Sequence, residues 1–377
     1  MTVLNRRTDE DAYRYQAWPT VCADENGTLW AVSSVRLRHI DPFGAIFLYK
    51  STDGGATWTD GVPVIDTPYD DRDPGIAYVG NGKLLISFYY HNPKNYLENT
   101  DRQWTCWKDE VPEQVRDAKL AELEAAVENG VRGASWVCVL DRDTAEQTRL
   151  TDTAGMTHVP ISAPHGVSVI GKTVGDLTAG SLLFVGRESY SGLTGIPVMV
   201  SSDGGATWTQ CSTLNIGDIG NFYEAYAIQL SSGRLLAAFR VQGESSIVFS
   251  TYLTWSDDGG KTWVPAQKVT DGAPPHLVQL RNGTVVLTYS YRDYREKETG
   301  IFARISRDGG ESWSAEMRLS NQPEVTPYDD LGYPCTVSLA DGSLLTVWYQ
   351  HIGQDAYPSI LSLCWTFSDD RDGILVK

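Results

Sequence analysis

The chain of 377 residues carries 31 Lys and Arg against 48 Asp and Glu, a net charge of −17, and a surface that acidic repels phosphate backbones and argues against nucleic acid as a partner. Hydrophobic residues at 41% and charged residues at 21% supply a large core and argue against wholesale disorder. No apolar run approaches the roughly 18 residues of a membrane-spanning helix, so no membrane partner is expected. Around Met1 to Glu10 the sequence turns acidic where a signal peptide needs its apolar segment, so a cytoplasmic location is expected. The six cysteines lie far apart without a Cys-x-x-Cys pair and read as reduced thiols, with no zinc site. No Walker-type loop, nucleotide fingerprint or His-Glu-x-x-His motif occurs, so neither cofactor nor metal is expected.

In chain order, the first recurring unit is a hairpin turn, Asn26-Gly27-Thr28-Leu29, followed by the octapeptide Ser51-Thr52-Asp53-Gly54-Gly55-Ala56-Thr57-Trp58. Asn81-Gly82-Lys83-Leu84 opens a second unit, interrupted by Asp109 to Gly130, where Val115, Leu120, Leu123 and Val127 recur at helical spacing among Ala, Glu and Lys. Pro112 near its start and Asn129-Gly130 at its end predict one amphipathic helix over 109–130, inserted in the second unit. Val139 to Thr144 is a degenerate octapeptide. The turns at Gly180-Ser181, Ser232-Gly233, Asn282-Gly283 and Asp341-Gly342 open four further units. Full octapeptides return at Ser201–Trp208, Ser256–Trp263 and Ser306–Trp313, with a last remnant at Ser368-Asp369-Asp370. Gly, Asn and Asp at these turns tolerate the positive φ that tight hairpins demand.

Four-stranded units repeated at about 40–50 residues are the signature of a β-propeller. The predicted fold is all-β: one six-bladed β-propeller over 1–377, built of four-stranded antiparallel blades at about 18–58, 73–149, 165–208, 223–263, 276–313 and 333–370. In such a ring, residues just before each inner strand and just after its hairpin partner converge at one mouth. The first set is Gln16, Trp18, Arg72, Asp73, His165, Tyr223, Glu224, His276 and Tyr333. The second is Arg36, Arg38, His39, Asp41, Tyr90, His91, Arg187, Glu188, Arg240, Arg292, Arg295, Gln350 and His351. A concave mouth rich in titratable groups is the default site.

The octapeptide is identified as the Asp-box, or BNR, repeat, and the chain resembles a divergent branch of the sialidase (neuraminidase) superfamily. The box itself is structural: its Asp bonds backbone N–H groups across the turn and its Trp packs between blades. What the resemblance implies for activity is an exo-acting, retaining glycosidase hydrolysing a terminal α-linked sialic acid or related anionic sugar. Gly332-Tyr333-Pro334 resembles the segment of the tyrosine nucleophile, and Tyr223-Glu224-Ala225 that of the glutamate base. A phenol suits an anomeric carbon that bears a carboxylate, because a carboxylate nucleophile would be repelled. The resemblance implies Asp41 as general acid, with His39 as its rival.

Arg240 matches one member of the family's arginine clamp, and Arg292 or Arg295 a second, since a guanidinium fork suits a carboxylate. The first arginine is missing: where the family reads Arg-Ile-Pro, this chain reads Ala17-Trp18-Pro19. Arg14 or Arg72 is expected to substitute. Arg72, Asp73 and His165, from the motifs Asp70-Asp71-Arg72-Asp73-Pro74 and Ala163-Pro164-His165-Gly166, are expected to contact the sugar together with Trp18 and Arg38. Two alternatives stay open, a uronide lyase using His165, His276 and Tyr333, and a glycan-binding propeller without turnover. The expected partner in each case is an oligosaccharide or glycoconjugate, and oligomerisation is left open.

Overall fold

Each repeat folds as an antiparallel sheet in the computed structural model, which describes residues 1–5, 13–162, 165–188, 195–216, 219, 221–242, 249–292, 299–321, 330–353, 355–368 and 371–376. Blade one comprises strands Tyr15–Ala23, Leu29–Arg36, Ala45–Ser51 and Val62–Ile65, and blade two Asp71–Tyr78, Lys83–Tyr90, Ala134–Asp141 and Thr157–Val159. Blade three runs through Val167–Val169, Leu182–Val185, Gly195–Ser201 and Thr209–Asn215, and blade four through Asn221–Gln229, Leu235–Gln242, Phe249–Ser256 and Gln267–Asp271. Blade five holds Pro275–Gln279, Val285–Tyr291, Gly300–Ser306 and Met317–Asn321, and blade six Gly332–Ser338, Leu344–Gln350 and Ser359–Ser368. The six first-named strands contact one another in a closed ring about the axis.

The strands are apolar on both faces because each blade is covered on both sides. Six apolar clusters form, each between two neighbouring blades. Leu29, Ala31 and Val35 of blade one meet Leu345 and Val347 of blade six, and Leu236 and Ala238 of blade four meet Val285 and Leu287 of blade five. The ring is closed by Thr2–Asn5, which pairs antiparallel with Ser359–Ser368, Thr2 opposite Ser362. Arg371–Val376 pairs with the same strand. The sixth blade thus contains a strand from the start of the chain, which the repeat period does not reveal because four residues carry neither a turn signal nor a full alternation.

The octapeptide lies at the turn between the third and fourth strands of a blade, not at its end, so each blade continues past the sequence-predicted boundary. Ser51 Oγ donates to Asp53 Oδ1 at 2.8 Å and accepts from the Gly55 amide at 2.9 Å, while the Thr57 amide donates to Asp53 Oδ1 at 2.9 Å. The same bonds recur around Asp203, Asp258 and Asp308. The side-chain hydroxyl and amide of Thr57 hold Asp53 down at about 2, since hydrogen bonds to the ionised form favour it. Asp258→Ala is expected to lower the melting midpoint by a few degrees while leaving any turnover unchanged, because the box is remote from the mouth. Thermal denaturation and activity assay of the variant check both halves.

The insertion is larger than the single helix predicted. Helices α1 (Lys94–Glu98) and α2 (Arg102–Thr105) and a 3₁₀ turn (Cys106–Asp109) precede α3 (Glu113–Glu128). The main helix starts only after Pro112, whose ring suits a helix entrance, and stops where Gly130 turns to φ 76°, as helix ends favour. The short helices escape periodicity because four or five residues complete barely one turn. Leu123 packs with Leu37, Tyr96 and Trp107, seating the insertion on the loop that follows the first hairpin.

Candidate active site

Four of the six inner strands carry the same irregularity at the mouth. Their registers shift between Ala17 and Thr20, Arg72 and Gly75, Tyr223 and Ala225, and Gly332 and Cys335. At each bulge one side chain stands on a left-handed backbone: Trp18 (φ 54°), Asp73 (φ 49°), Glu224 (φ 29°) and Tyr333 (φ 52°). Three of these precede proline (Pro19, Pro74 and Pro334), which cannot donate to a ladder and is accommodated at a bulge. Bulges re-aim side chains, and left-handed non-glycine residues are costly enough to cluster where function requires them. Blade three uses Gly166 (φ 113°) beside His165 instead.

Tyr333 Oη donates to Glu224 Oε1 at 2.7 Å, and Arg240 Nε lies 2.7 Å from the other carboxylate oxygen. Burial raises the pKa of Glu224, against the opposing influence of Arg240 and the Tyr333 bond. Burial and then the Glu224 charge push the Tyr333 phenol well above its ordinary range, so at rest the phenol holds its proton. Arg240 is itself stacked on Tyr223 and Phe249, at 4.7 and 4.5 Å.

Beneath this pair, Trp18 is covered by the guanidinium groups of Arg72 and Arg36, 4.3 and 4.9 Å from its ring. Asp70, wholly buried, pairs with Arg36, with Arg72 at 3.2 Å and with His91 at 3.0 Å, and accepts from Tyr96 Oη. Arg72 also lies 3.4 Å from Asp73 Oδ2, and Asp73 Oδ1 is buried without a hydrogen-bond partner among the described residues.

Nearer solvent, Asp330 accepts from Tyr15 Oη, from Tyr349 Oη at 2.8 Å and from His39 Nδ1 at 3.0 Å, with Arg292 at 4.0 Å. These groups face a cavity of about 670 Å³ whose walls include Tyr333, Arg240, Arg292, His39, Arg38, Phe249 and Tyr357. The helical insertion contributes Gln103 and Cys106 to the same wall, and its Glu110 pairs with Arg38.

Tyr333, Glu224, Arg240, Arg292, His39, Arg38, Trp18, Arg72 and Asp73 are thus gathered at one mouth. Two expected residues are elsewhere. Asp41 is wholly buried, and its carboxylate accepts from the amides of Arg38 at 2.9 Å and Phe43 at 2.8 Å; it shapes its own turn and does not line the cavity. His165 touches the Tyr333 ring at 5.6 Å but lines a separate cavity of about 490 Å³ along the axis, open toward the far ends of the inner strands. Both its ring nitrogens are buried without partners among the described residues, and burial lowers its pKa to about 4. Arg295 lies outside the described residues. His276, one of the bases of the lyase alternative, also lines the axial cavity, accepts from the Thr336 amide at 3.3 Å and stacks on Tyr226. Arg14, a candidate substitute for the missing arginine, pairs with Glu110. The sequence reading missed Tyr15, Asp70 and Asp330; Asp70 stood in a motif it had singled out, and Asp330 three residues before the tyrosine.

A ring of six four-stranded blades with a polar axial mouth defines the chain as a six-bladed β-propeller. Residues 182–370 match the family of BNR repeat-like domains, and the chain belongs to that family. Among solved structures it is similar to a protein of unknown function from Dyadobacter fermentans (TM-score 0.69, 21% identity, 96% of each chain covered). It is also similar to the NanB sialidase from Streptococcus pneumoniae (TM-score 0.66, 11% identity, covering 96% of this chain and 69% of that one). The intramolecular trans-sialidase from Ruminococcus gnavus aligns with a TM-score of 0.63 at 14% identity, over 94% of this chain and 96% of that one. At these identities the likeness is one of fold. No curated protein sequence matches the chain.

Proposed function

We propose that this propeller is an exo-acting retaining glycoside hydrolase that removes a terminal α-linked sialic acid or a related anionic sugar. The observation that carries the reading is the buried Tyr333–Glu224 bond of 2.7 Å with Arg240 on the opposite carboxylate oxygen. Tyr333 Oη attacks the anomeric carbon while its proton passes to Glu224, a neutral nucleophile activated by an adjacent base. A residue of the loop holding His39 and Asp41 protonates the departing oxygen. Arg240, beside Glu224, and Arg292, 6.0 Å from the Tyr333 ring, receive the acid group of the sugar, and Arg72 and Asp73 meet its hydroxyls. Water then opens the glycosyl-tyrosine with net retention.

The test is hydrolysis of chromogenic glycosides of sialic acid, ketodeoxynonulosonic acid and uronic acids. Release from at least one by the wild type, abolished in Tyr333→Phe, supports the reading; no release from any, or ultraviolet-absorbing unsaturated products, defeats it. The pH profile gives an independent check. The base must be ionised to act, and burial raises the pKa of Glu224, so the acid limb of log kcat/KM is expected above the ordinary glutamate value of about 4.3. An acid limb at or below that value contradicts the role of Glu224.

A further inference from the structure

The geometry points to His39 as the residue that protonates the departing oxygen, held for that task by Asp330 and Tyr15; this rests on the hydrolase reading above and deepens it. His39 Nδ1 lies 2.6 Å from Tyr15 Oη and 3.0 Å from Asp330 Oδ2, and Tyr15 Oη donates to the same carboxylate oxygen. Both ends of this cluster are fixed from elsewhere. Tyr15 begins the inner strand of blade one, and Asp330 is tied by Tyr349 Oη at 2.8 Å.

An imidazole whose Nδ1 faces a carboxylate is oriented by it, and its Nε2 is the atom offered to a substrate. Nε2 of His39 has no hydrogen-bond partner among the described residues, and the ring lies in the wall of the same cavity as Tyr333. The two rings flank the buried Trp18, at 5.4 Å for His39 and 6.3 Å for Tyr333, so a sugar in the cavity that both rings line would present its reacting bond between them. Asp330 is kept a carboxylate: burial opposes ionisation, but the neighbouring His39, Arg292 and Tyr15 hold it far below the ordinary range. Asp41, by contrast, spends its carboxylate on two backbone amides and does not reach the cavity wall.

In the first step the anomeric carbon–oxygen bond breaks with its electron pair leaving on oxygen, which takes the Nε2 proton of His39. A bond forms from Tyr333 Oη to the anomeric carbon, and the phenolic proton goes to Glu224. In the second, water gives its proton to His39 Nε2 as its oxygen displaces Tyr333, which recovers its proton from Glu224. His39 is the catalytic residue of the cluster; Asp330 and Tyr15 are positioning residues.

Proton donation matters only when the departing oxygen is basic. The experiment compares His39→Gln, Asp330→Asn and Asp41→Asn on two glycosides of whichever anionic sugar the wild type cleaves, one with a 4-nitrophenyl and one with an alkyl leaving group. His39→Gln is expected to lose kcat on the alkyl glycoside by on the order of 10²-fold or more and to lose less than about ten-fold on the nitrophenyl one. Asp330→Asn is expected to show the same split, reduced in size. Equal losses on both substrates overturn the proposal, as does a split in Asp41→Asn without one in His39→Gln. Either result leaves the hydrolase reading standing, since that reading is tested separately by the wild type's release of the sugar and by its loss in Tyr333→Phe.

Discussion

Tyr333→Phe is expected to reduce hydrolysis by on the order of 10³-fold or more while leaving the melting midpoint and glycan binding close to those of the wild type. The substitution removes one oxygen and keeps the ring that packs on Trp18, Tyr349 and His165, so the apolar contacts survive. It also removes the hydroxyl that bonds Glu224, the proposed nucleophile. Losing the nucleophile abolishes the covalent route outright, leaving whatever the arginines contribute by binding and charge. Steady-state kinetics with a chromogenic glycoside, beside binding of a non-hydrolysable analogue, separates this outcome from general damage. Undiminished kcat in the phenylalanine variant would eliminate the tyrosine mechanism.

The largest effect on stability is expected at Asp70. Its carboxylate is the shared counter-ion of Arg36 and Arg72, both buried, and it also satisfies Tyr96 Oη. Asp70→Asn keeps the shape and deletes the charge, leaving two guanidinium groups in a poorly hydrated place with only partial compensation from Asp73. Removing one partner of a buried ion pair costs about 3–5 kcal/mol, and chemical denaturation should show the loss as a lower midpoint with an unchanged slope. The compensated variant, Asp70→Leu with Arg36→Met, should recover a good part of it, because replacing a whole buried pair by apolar groups is far cheaper than breaking it. A single Asn variant as stable as the wild type would mean that Arg72 and Arg36 find solvent, contrary to their burial.

The parts of the fold that repeat were legible in the sequence, and those that join distant segments were not. Ser51 to Trp58 and its three full copies announce their turns because the bonds that shape each turn are local, within four residues. Likewise Trp18, Asp73, Glu224 and Tyr333 sit at matching points of matching strands, so the repeat alone assigns them to one mouth. The contact between Tyr333 and Glu224, 109 residues apart, follows from the ring but its length does not. The His39–Asp330 contact spans 291 residues, and Asp330 belongs to no repeat, so nothing local marks it. Asp41 illustrates the opposite error: an aspartate before proline, which the family pattern makes an acid, is here consumed by the ordinary chemistry of a turn. The closing strand Thr2–Asn5 was invisible because its only partner is 355 or more residues later.

The recurrence of one backbone distortion in four blades bears on how such a protein changes its chemistry. Because the kink is inherited with the blade, the identity of whatever it displays is decoupled from the scaffold that displays it. Exchanging tryptophan, aspartate, glutamate or tyrosine at these positions rewrites the pocket without asking the surrounding sheets to adapt. A lineage built this way can change what the mouth displays one blade at a time, on an already folded frame.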